Sequence, residues 1–258
     1  MKKTALITGA SSGFGQACAR KFAAAGWRLV LAARRSERLE ALRAELGGPS
    51  EIHLWPLDVR DRSAVTQGFE ALPAPFRTVD LLLNNAGLAL GLQPAWQTDL
   101  DDWEQMIDTN IKGVTFLTRA VLPGMVERNS GHVINIGSTA GNWPYPGGNV
   151  YGGTKAFVQQ FSRNLRADLL GTRVRVSNIE PGMAESEFST VRFKGDGDKA
   201  AQVYAGTAPL TPEDIADIIF YVASLPPHVN VNTLEVMSID QSWAPFAIHR
   251  ERREESEG

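Results

Sequence analysis

Cysteine is almost absent from this chain of 258 residues. Cys18 is the only one, so no disulfide bond can form within the chain, and a reducing compartment is indicated. A long apolar stretch is absent as well. The first apolar run, residues 5–7, is too short for the core of a signal peptide, and no run approaches the roughly 20 apolar residues needed to cross a bilayer. These absences predict a cytoplasmic protein that does not bind membranes.

The chain also lacks a strong charge of either sign. Its formal net charge is −3, whereas binding to nucleic acid needs a concentrated basic surface. The pair Arg34 and Arg35 suffices for one phosphate but not for a polymer. The four histidines, at positions 53, 132, 228 and 249, are scattered without the spacing of metal ligands. We therefore expect a small-molecule substrate, no nucleic acid and no metal.

Short apolar runs alternate with stretches of helical length along the whole chain. The runs are apolar without alternation, which is typical of strands buried on both faces of a parallel sheet. The expected strands are 5–7, 29–31, 52–55, 79–83, 132–136, 174–178 and 233–237, and the expected helices are 14–25, 36–46, 62–72, 100–126, 150–170 and 211–224. We predict an α/β fold: a single-domain, Rossmann-like, doubly wound parallel sheet of about seven strands with helices on both faces. This domain should span residues 1–248, followed by a charged tail at 249–258.

The first strand ends in a glycine-rich turn, Thr8-Gly9-Ala10-Ser11-Ser12-Gly13-Phe14-Gly15. Glycines at these places permit a tight turn, a close approach of the backbone to a pyrophosphate, and close packing of the helix, whose free N–H groups then face the anion. A tight turn without a ligand would need similar glycines. The location between the first strand and the first helix favours phosphate binding. The residues that we assign to it are Gly9, Ser11, Ser12, Gly13, Phe14 and Gly15.

Two arginines follow the second strand. An enzyme that uses NAD usually has an acidic residue there, which holds the ribose 2′-hydroxyl, but no acid occurs before Glu37. Arg34 and Arg35 instead suit a 2′-phosphate, which predicts NADP, although both could simply be solvated at a helix start. Asp58 and Val59 follow the third strand, where an adenine could be bound; Asp58 could equally cap the next helix.

Tyr151 and Lys155 are four positions apart, so they share one face of a helix. The unperturbed pKa of tyrosine is about 10, and a nearby ammonium lowers the pKa of the phenol towards the range of a general acid or base. This spacing alone is common by chance. Its context strengthens the interpretation, because Ser138 ends the preceding strand, where it could donate a hydrogen bond to a substrate oxygen; turn formation is the alternative role of this serine.

Further polar residues fall at the same edge of the predicted sheet. Asn110 lies within the long helical region, where asparagine is a poor helix former, and it could also serve only local hydrogen bonding. The run Asn84-Asn85-Ala86-Gly87 follows the fourth strand. The carboxyl ends of parallel strands are where doubly wound folds bind ligands.

This combination of motifs resembles the short-chain dehydrogenase/reductase family, over nearly the whole chain. Longer stretches, at 84–91, 117–129, 143–155, 191–196 and 225–235, are similar to a bacterial group within it, the NADP-dependent 3-hydroxy acid dehydrogenases. Two positions depart from the family pattern. Gly153 stands where alanine is more frequent, which should soften the helix by roughly 1 kcal/mol, and Ser186 stands near a frequent threonine.

The resemblance implies roles for the residues above. Tyr151 would exchange the hydroxyl proton, and Lys155 would hold the nicotinamide ribose and tune Tyr151. Ser138 would orient the substrate oxygen, while Asn110 would support a proton relay through water. Asn85, Ala86 and Gly87 would line the ribose, and Pro181, Gly182, Met183 and Ser186 the nicotinamide. Such enzymes are usually homotetramers with the tyrosine-bearing helix at a subunit interface.

The resemblance also implies the reaction: hydride transfer between NADP(H) and the 3-hydroxyl or 3-oxo group of a small 3-hydroxy acid, of the serine, allo-threonine or 3-hydroxypropionate/malonic semialdehyde class. A carboxylate needs a positive partner, for which we consider Arg192 or Lys194, although either could be a solvated surface charge. Both lie in the polar segment 185–204, which has little periodicity and could form a lid. The alternatives are a dehydrogenase that acts on a sugar, steroid or acyl ketone, and an NADPH-binding regulator without turnover.

Overall fold

The computed structural model describes residues 2–47 and 51–243. These residues form one sheet of seven parallel strands in the order β3-β2-β1-β4-β5-β6-β7. The strands are β1 (Thr4–Thr8), β2 (Arg28–Ala33), β3 (Ile52–Pro56), β4 (Leu81–Asn84), β5 (Gly131–Ile136), β6 (Val174–Pro181) and β7 (Thr233–Val236). The predicted doubly wound parallel sheet is confirmed. Because winding reverses between β1 and β4, a crevice opens at their carboxyl ends.

Helices cover both faces of the sheet in the described part of the chain. They are α1 (Gly13–Ala24), α2 (Ser36–Glu45), α3 (Arg62–Glu70), α4 (Leu100–Ile107), α5 (Val114–Glu127), α6 (Asn149–Asp168), α7 (Glu187–Arg192), α8 (Gly197–Gln202) and α9 (Pro212–Ser224). Among the residues described, no helix combines the length and apolarity needed to span a bilayer. The same residues contain no group of three or more His, Cys, Asp or Glu side chains suited to a metal ion.

Two hydrophobic cores lie on opposite faces of the sheet. In β1, Ala5 and Ile7 face a core shared with α1, α2 and α9, whereas Leu6 faces a core shared with α3, α5 and α6. Successive side chains of a strand point to opposite faces, so a strand buried on both sides reads as a continuous apolar run. The aromatic side chain of Phe22 is fully buried in the first core, edge-on to Trp27 and Phe220.

The long helix predicted at 100–126 is wrong in one respect, since a π-helical turn, Asp108–Gly113, separates α4 from α5. The cause is local packing and hydrogen bonding. The side chain of Asn110 bonds to residues outside the helix, and Gly113 packs so closely that a Cβ there would lie 2.7 Å from Cγ2 of Val59. A π-turn is a frequent device for placing a functional group.

The segment 185–204 is more regular than its sequence suggested. It contains α7 and α8, each six residues long and therefore too short for a periodicity signal. The side chains of Ser186 and Asp196 cap them, accepting hydrogen bonds from the backbone N–H groups of Phe188 and Lys199. The predicted tail at 249–258 lies outside the described residues, so the proposed boundary at residue 248 remains a prediction.

Replacing either of two adjacent glycines of α6 by alanine should have opposite effects on the free energy of unfolding. A Cβ on Gly153 meets nothing within 4 Å, whereas a Cβ on Gly152 lies 2.9 Å from the carbonyl oxygen of Ala140. Gly153→Ala should raise the free energy of unfolding by about 1 kcal/mol, because alanine is the better helix former. Gly152→Ala should lower it by about 1–3 kcal/mol through overpacking. Urea denaturation of both variants checks this, and equal effects at the two positions would contradict the packing.

Candidate active site

A large cavity of about 1030 Å³ lies at the carboxyl ends of the central strands. Nearly all of the residues proposed from the sequence line it; the exceptions are Gly15, Asn110 and Lys194. Its volume is at the upper end of the range for ligand pockets. The cavity therefore has room for an extended ligand that runs from the end of β2 to Tyr151.

Two glycines of the glycine-rich turn, Gly9 and Gly15, leave no room for a side chain. Gly9 has a φ of +65°, and a Cβ on Gly15 would lie 2.4 Å from the carbonyl oxygen of Gly9. The side chain of Thr8 fixes the opposite wall, because its Oγ1 accepts hydrogen bonds from the backbone N–H groups of Asn85 at 3.0 Å and of Ala86 at 2.9 Å. Gly15 thus acts behind the cavity wall, where it brings the start of α1 close to the sheet.

Arg35 lies over this turn. Its guanidinium donates to the hydroxyls of Ser11, at 3.2 and 3.3 Å, and of Ser12, at 3.0 Å. It also forms an ion pair of 2.9 Å with Glu187, the first residue of α7, and Arg38 pairs with the other oxygen of the same carboxylate at 2.7 Å. Partial burial would raise the pKa of Glu187, but the hydrogen bonds from the two arginines outweigh it and lower that pKa to about 2.

Asp58 also lines the cavity, and the structure excludes one of its two proposed roles. It does not cap α3: the N-cap is Asp61, whose side chain accepts from the backbone N–H of Ala64 at 2.9 Å. Asp58 instead accepts hydrogen bonds from the backbone and guanidinium of Arg60, and the guanidinium bonds lower the pKa of the Asp58 carboxyl. Adenine binding at Asp58 and Val59 remains a prediction.

Tyr151, Lys155 and Ser138 meet at the other end of the cavity. The hydroxyl of Ser138 accepts from the backbone N–H of Ala140 at 3.1 Å, which fixes its direction after β5. The Nζ of Lys155 donates to the carbonyl oxygen of Ile136 at 2.8 Å and lies 5.8 Å from the centre of the Tyr151 ring. This position of Ser138 is compatible with both of its proposed roles, which are turn formation and orientation of a substrate oxygen.

Burial dominates the proton affinity of both groups. It raises the pKa of Tyr151 to about 12, against smaller opposite effects from the Ser138 hydroxyl and the Arg192 charge. It lowers the pKa of Lys155 to about 8. Desolvation outweighs the neighbouring charge of Arg192, which lowers the pKa of Tyr151. The role of Lys155 towards the phenol stays a prediction.

Asn110 lies behind the cavity wall rather than in it. Its amide nitrogen donates to the carbonyl oxygen of Leu88 at 2.8 Å and to Oγ1 of Thr154 at 3.0 Å, and its amide oxygen accepts from the backbone N–H of Leu88 at 2.9 Å. Thr154 in turn donates to the carbonyl oxygen of Tyr151 at 2.8 Å. The side chain thus makes local hydrogen bonds, which hold the helix turn between Tyr151 and Lys155. The proton relay through water stays a prediction.

Of the two cations considered for a carboxylate, the structure places only Arg192 in the cavity. Its guanidinium carbon lies 5.2 Å from the centre of the Tyr151 ring and 5.3 Å from that of Phe188, and Nη2 donates to the hydroxyl of Tyr145 at 3.3 Å. Its buried Nε has no hydrogen-bond partner among the described residues. Lys194 pairs with Asp102 of α4 at 2.8 Å and does not line the cavity, so this structure does not place it beside Tyr151.

Several cavity residues were not predicted from the sequence. Trp143 and Trp243 both donate their indole N–H to Glu235, with ring centres 5.8 Å apart. Gln241 accepts a hydrogen bond from the backbone N–H of Met183 at 2.6 Å and so fixes the loop after β6. Gln241 and Trp243 follow β7, and the rule that ligands bind beyond the carboxyl ends of strands could have drawn attention to them.

Comparison with known proteins gives consistent results. A family model described as short chain dehydrogenase matches residues 3–196. An NADP-dependent 3-hydroxy acid dehydrogenase of Salmonella typhi is 58% identical over 246 residues, which cover 95% of this chain and 98% of the relative. Sulfoacetaldehyde reductase 2 of Chromohalobacter salexigens is 55% identical over 97% of this chain and 100% of its own.

Solved structures agree with these sequence relatives. The closed form of a serine dehydrogenase complexed with NADP⁺ has a TM-score of 0.94 and 55% identity, covering 96% of this chain and 100% of that one. The serine dehydrogenase from Escherichia coli has a TM-score of 0.82 and 51% identity, covering 93% of this chain and 100% of that one.

The lowered pKa of Lys155 predicts how ligand binding depends on pH. Above about pH 8 the buried amine is largely neutral, and an anionic dinucleotide favours its charged form, so binding takes up a proton. The affinity for NADPH should therefore fall as the pH rises beyond 8, by at most about tenfold per pH unit. Titration by fluorescence between pH 7 and 9.5 measures this. In Lys155→Met the affinity should be lower and nearly flat; an equally steep slope there would assign the proton to another group.

Proposed function

The chain belongs to the short-chain dehydrogenase family, and on that premise we propose that it is an NADP-dependent oxidoreductase of small 3-hydroxy acids. The observation that carries the proposal is the position of Arg192, a cation beside Tyr151 in the cavity. It gives a carboxylate a partner within a few ångströms of a proton donor. The related 3-hydroxy acid dehydrogenase and the NADP⁺ complex of serine dehydrogenase support the same assignment.

The residues of this chain fit the dinucleotide. The close packing of Gly15 on Gly9 brings the start of α1 to the cavity, where its free backbone N–H groups would face a pyrophosphate. Arg34 and Arg35, in place of an acidic residue, would hold a 2′-phosphate, with Ser11 and Ser12 beside them. We assign the ribose and nicotinamide to the loops after β4 and β6. The bound NADP(H) supplies the hydride in reduction and accepts it in oxidation.

Tyr151 would carry the proton of the reaction. In reduction its phenol donates a proton to the substrate oxygen that becomes the 3-hydroxyl, and in oxidation the phenolate takes it back. The hydroxyl of Ser138 would hold that oxygen by a hydrogen bond as charge develops. Lys155 would bind the ribose hydroxyls and, when protonated, stabilise the phenolate. Asn110 would act indirectly, by holding the helix turn through Thr154.

Arg192 would bind the carboxylate of the substrate. Its planar guanidinium presents two N–H groups in parallel, which match a carboxylate, and its unpartnered Nε is one of the donors. Among the described residues it forms no ion pair of its own. A small anion bound here would have its 3-carbon close to Tyr151, because the guanidinium lies over the Tyr151 ring.

A sulfonate is the second candidate for the anion. The observation in its favour is the 55% identity with two sulfoacetaldehyde reductases of Chromohalobacter salexigens. Sulfoacetaldehyde, like malonic semialdehyde, carries an anion near an aldehyde. Arg192 could bind either group, so a direct comparison of the two substrates must decide.

We further propose a cytoplasmic homotetramer in which α6 lies at a subunit interface. The half-buried rings of Phe157 and Phe161, stacked with centres 5.7 Å apart on α6, support this arrangement. Sedimentation of the purified protein would measure the state of assembly.

The central test is a substrate panel with two variants. NADPH formation should be seen with L-serine, L-allo-threonine or 3-hydroxypropionate, and NADPH oxidation with malonic semialdehyde or sulfoacetaldehyde, in preference to neutral carbonyls of the same size. Tyr151→Phe should lower kcat by about 10² or more, because the proton donor is lost. If NADPH binds but Tyr151→Phe changes no measured rate, the chain is a regulator and not an enzyme.

Arg192→Gln should raise KM for the anionic substrate by about 10- to 100-fold, the loss of a charge-assisted pair, and should change KM for a neutral carbonyl far less. Lys194→Gln is the matched control, because it removes a cation two positions away that lies outside the cavity. If Arg192→Gln leaves KM for the carboxylate substrate unchanged, Arg192 does not bind the carboxylate.

A further inference from the structure

The helix α7 runs between the two ends of the cavity, and a salt-bridged carboxylate holds its first residue. Glu187, the first residue of α7, accepts from Arg35 at 2.9 Å and from Arg38 at 2.7 Å. These arginines belong to the junction after β2 and to α2, on the opposite side of the glycine-rich turn. Between them, Ser186 lies against the turn, since a Cβ on Gly13 would be 3.6 Å from Cβ of Ser186. The start of α7 is thus tied across the turn.

The rest of α7 contacts the proposed proton donor. The ring of Phe188 lies 5.7 Å from that of Tyr151, and the guanidinium of Arg192, the last residue of α7, lies 5.2 Å from it. Ser189 is hydrogen bonded to the hydroxyl of Tyr204, which also donates to the carbonyl oxygen of Ala184 at 2.9 Å. Since α7 is six residues long, a shift of its first residue moves Phe188 and Arg192 together.

We propose that Glu187 is a positioning residue whose ion pairs with Arg35 and Arg38 hold α7 over the turn, with Phe188 and Arg192 placed against Tyr151. This inference deepens the proposed function and rests on it for the roles of Tyr151 and Arg192. It adds that Arg35, assigned above to the 2′-phosphate, also determines where the substrate anchor lies. The adenosine end of the site and the substrate end are then coupled through one helix.

The size of the effect follows from exposure. The side chains of Glu187, Arg35 and Arg38 are 34%, 38% and 44% exposed, and exposed ion pairs are individually weak. Two pairs on one carboxylate should together shift the opening of α7 by about three- to tenfold. Because salt screens such pairs, the effect should shrink as ionic strength rises.

Limited proteolysis tests the inference without turnover. Trypsin cleaves after Arg192, Lys194 and Lys199, and cleavage within α7 and α8 needs local unfolding of these helices. In the cofactor-free protein at low salt, Glu187→Gln should increase cleavage at these sites about three- to tenfold. Glu185→Gln removes the same charge from an exposed residue of the same segment and should be cleaved like the unaltered chain. Equal cleavage of the two variants overturns the proposal.

High salt and the variant Glu187→Asp, which has a shorter acidic side chain, refine the proteolysis measurement. At 1 M NaCl the unaltered chain should approach the cleavage rate of Glu187→Gln, and Glu187→Asp should fall between them. A difference between the variants that persists undiminished at 1 M NaCl would mean that the glutamine damages the fold and not the ion pairs. That result would also overturn the proposal.

Kinetics separate this inference from the proposed function. With an accepted substrate, Glu187→Gln should raise KM for the anion by about three- to tenfold, change kcat less, and speed the release of NADPH in stopped-flow fluorescence. If the proteolysis result holds but no hydroxy acid is turned over, the proposed function fails and the role of Glu187 in holding α7 stands. If turnover occurs and KM for the anion is unchanged, Glu187 does not position Arg192.

Discussion

The side-chain amide of Asn110 is the interaction on which the geometry of this site depends. It joins the loop after β4, through both backbone groups of Leu88, to α6, through Thr154. Thr154 lies between Tyr151 and Lys155 in sequence, so the amide fixes the turn that carries both. These hydrogen bonds favour the π-turn at Asp108–Gly113. A continuous α-helix would rotate the amide away from Leu88.

Burial shapes the chemistry of the site more than neighbouring charge does. Desolvation favours the neutral form of both Tyr151 and Lys155, since a charged group loses its hydration there. A cation beside the phenol favours its ionised form, and the guanidinium of Arg192 lies 5.2 Å from the centre of the Tyr151 ring. It comes from α7, not from the sheet. The sheet and α6 thus hold the proposed proton donor, and a short helix supplies the neighbouring charge.

The sequence sufficed for the fold and the family because these depend on local patterns. Buried strands read as continuous apolar runs, and Gly9 and Gly15 follow from steric limits that permit no other residue. It could not reveal the π-turn, which depends on a hydrogen bond between Asn110 and Leu88 of another loop. Nor could it choose between Arg192 and Lys194, because the choice depends on which side of a six-residue helix faces the cavity. The pair formed by Glu187 and Arg35 joins residues 152 positions apart, and no local pattern announces such a contact.

The proposed catalytic residues and the proposed substrate-binding residues come from different elements, and this separation affects how such a protein can diversify. Tyr151, Lys155 and Ser138 are held by β5 and α6, whose packing tolerates little change. Arg192 and Phe188 belong to α7, which contributes no residue to the two cores that flank the sheet. With Arg192 in its proposed role, substitutions in α7 would alter the preferred anion and leave the hydride chemistry in place. Relatives named for a hydroxy acid and for a sulfonate aldehyde, both more than half identical to this chain, are the outcome that such an arrangement makes accessible to selection.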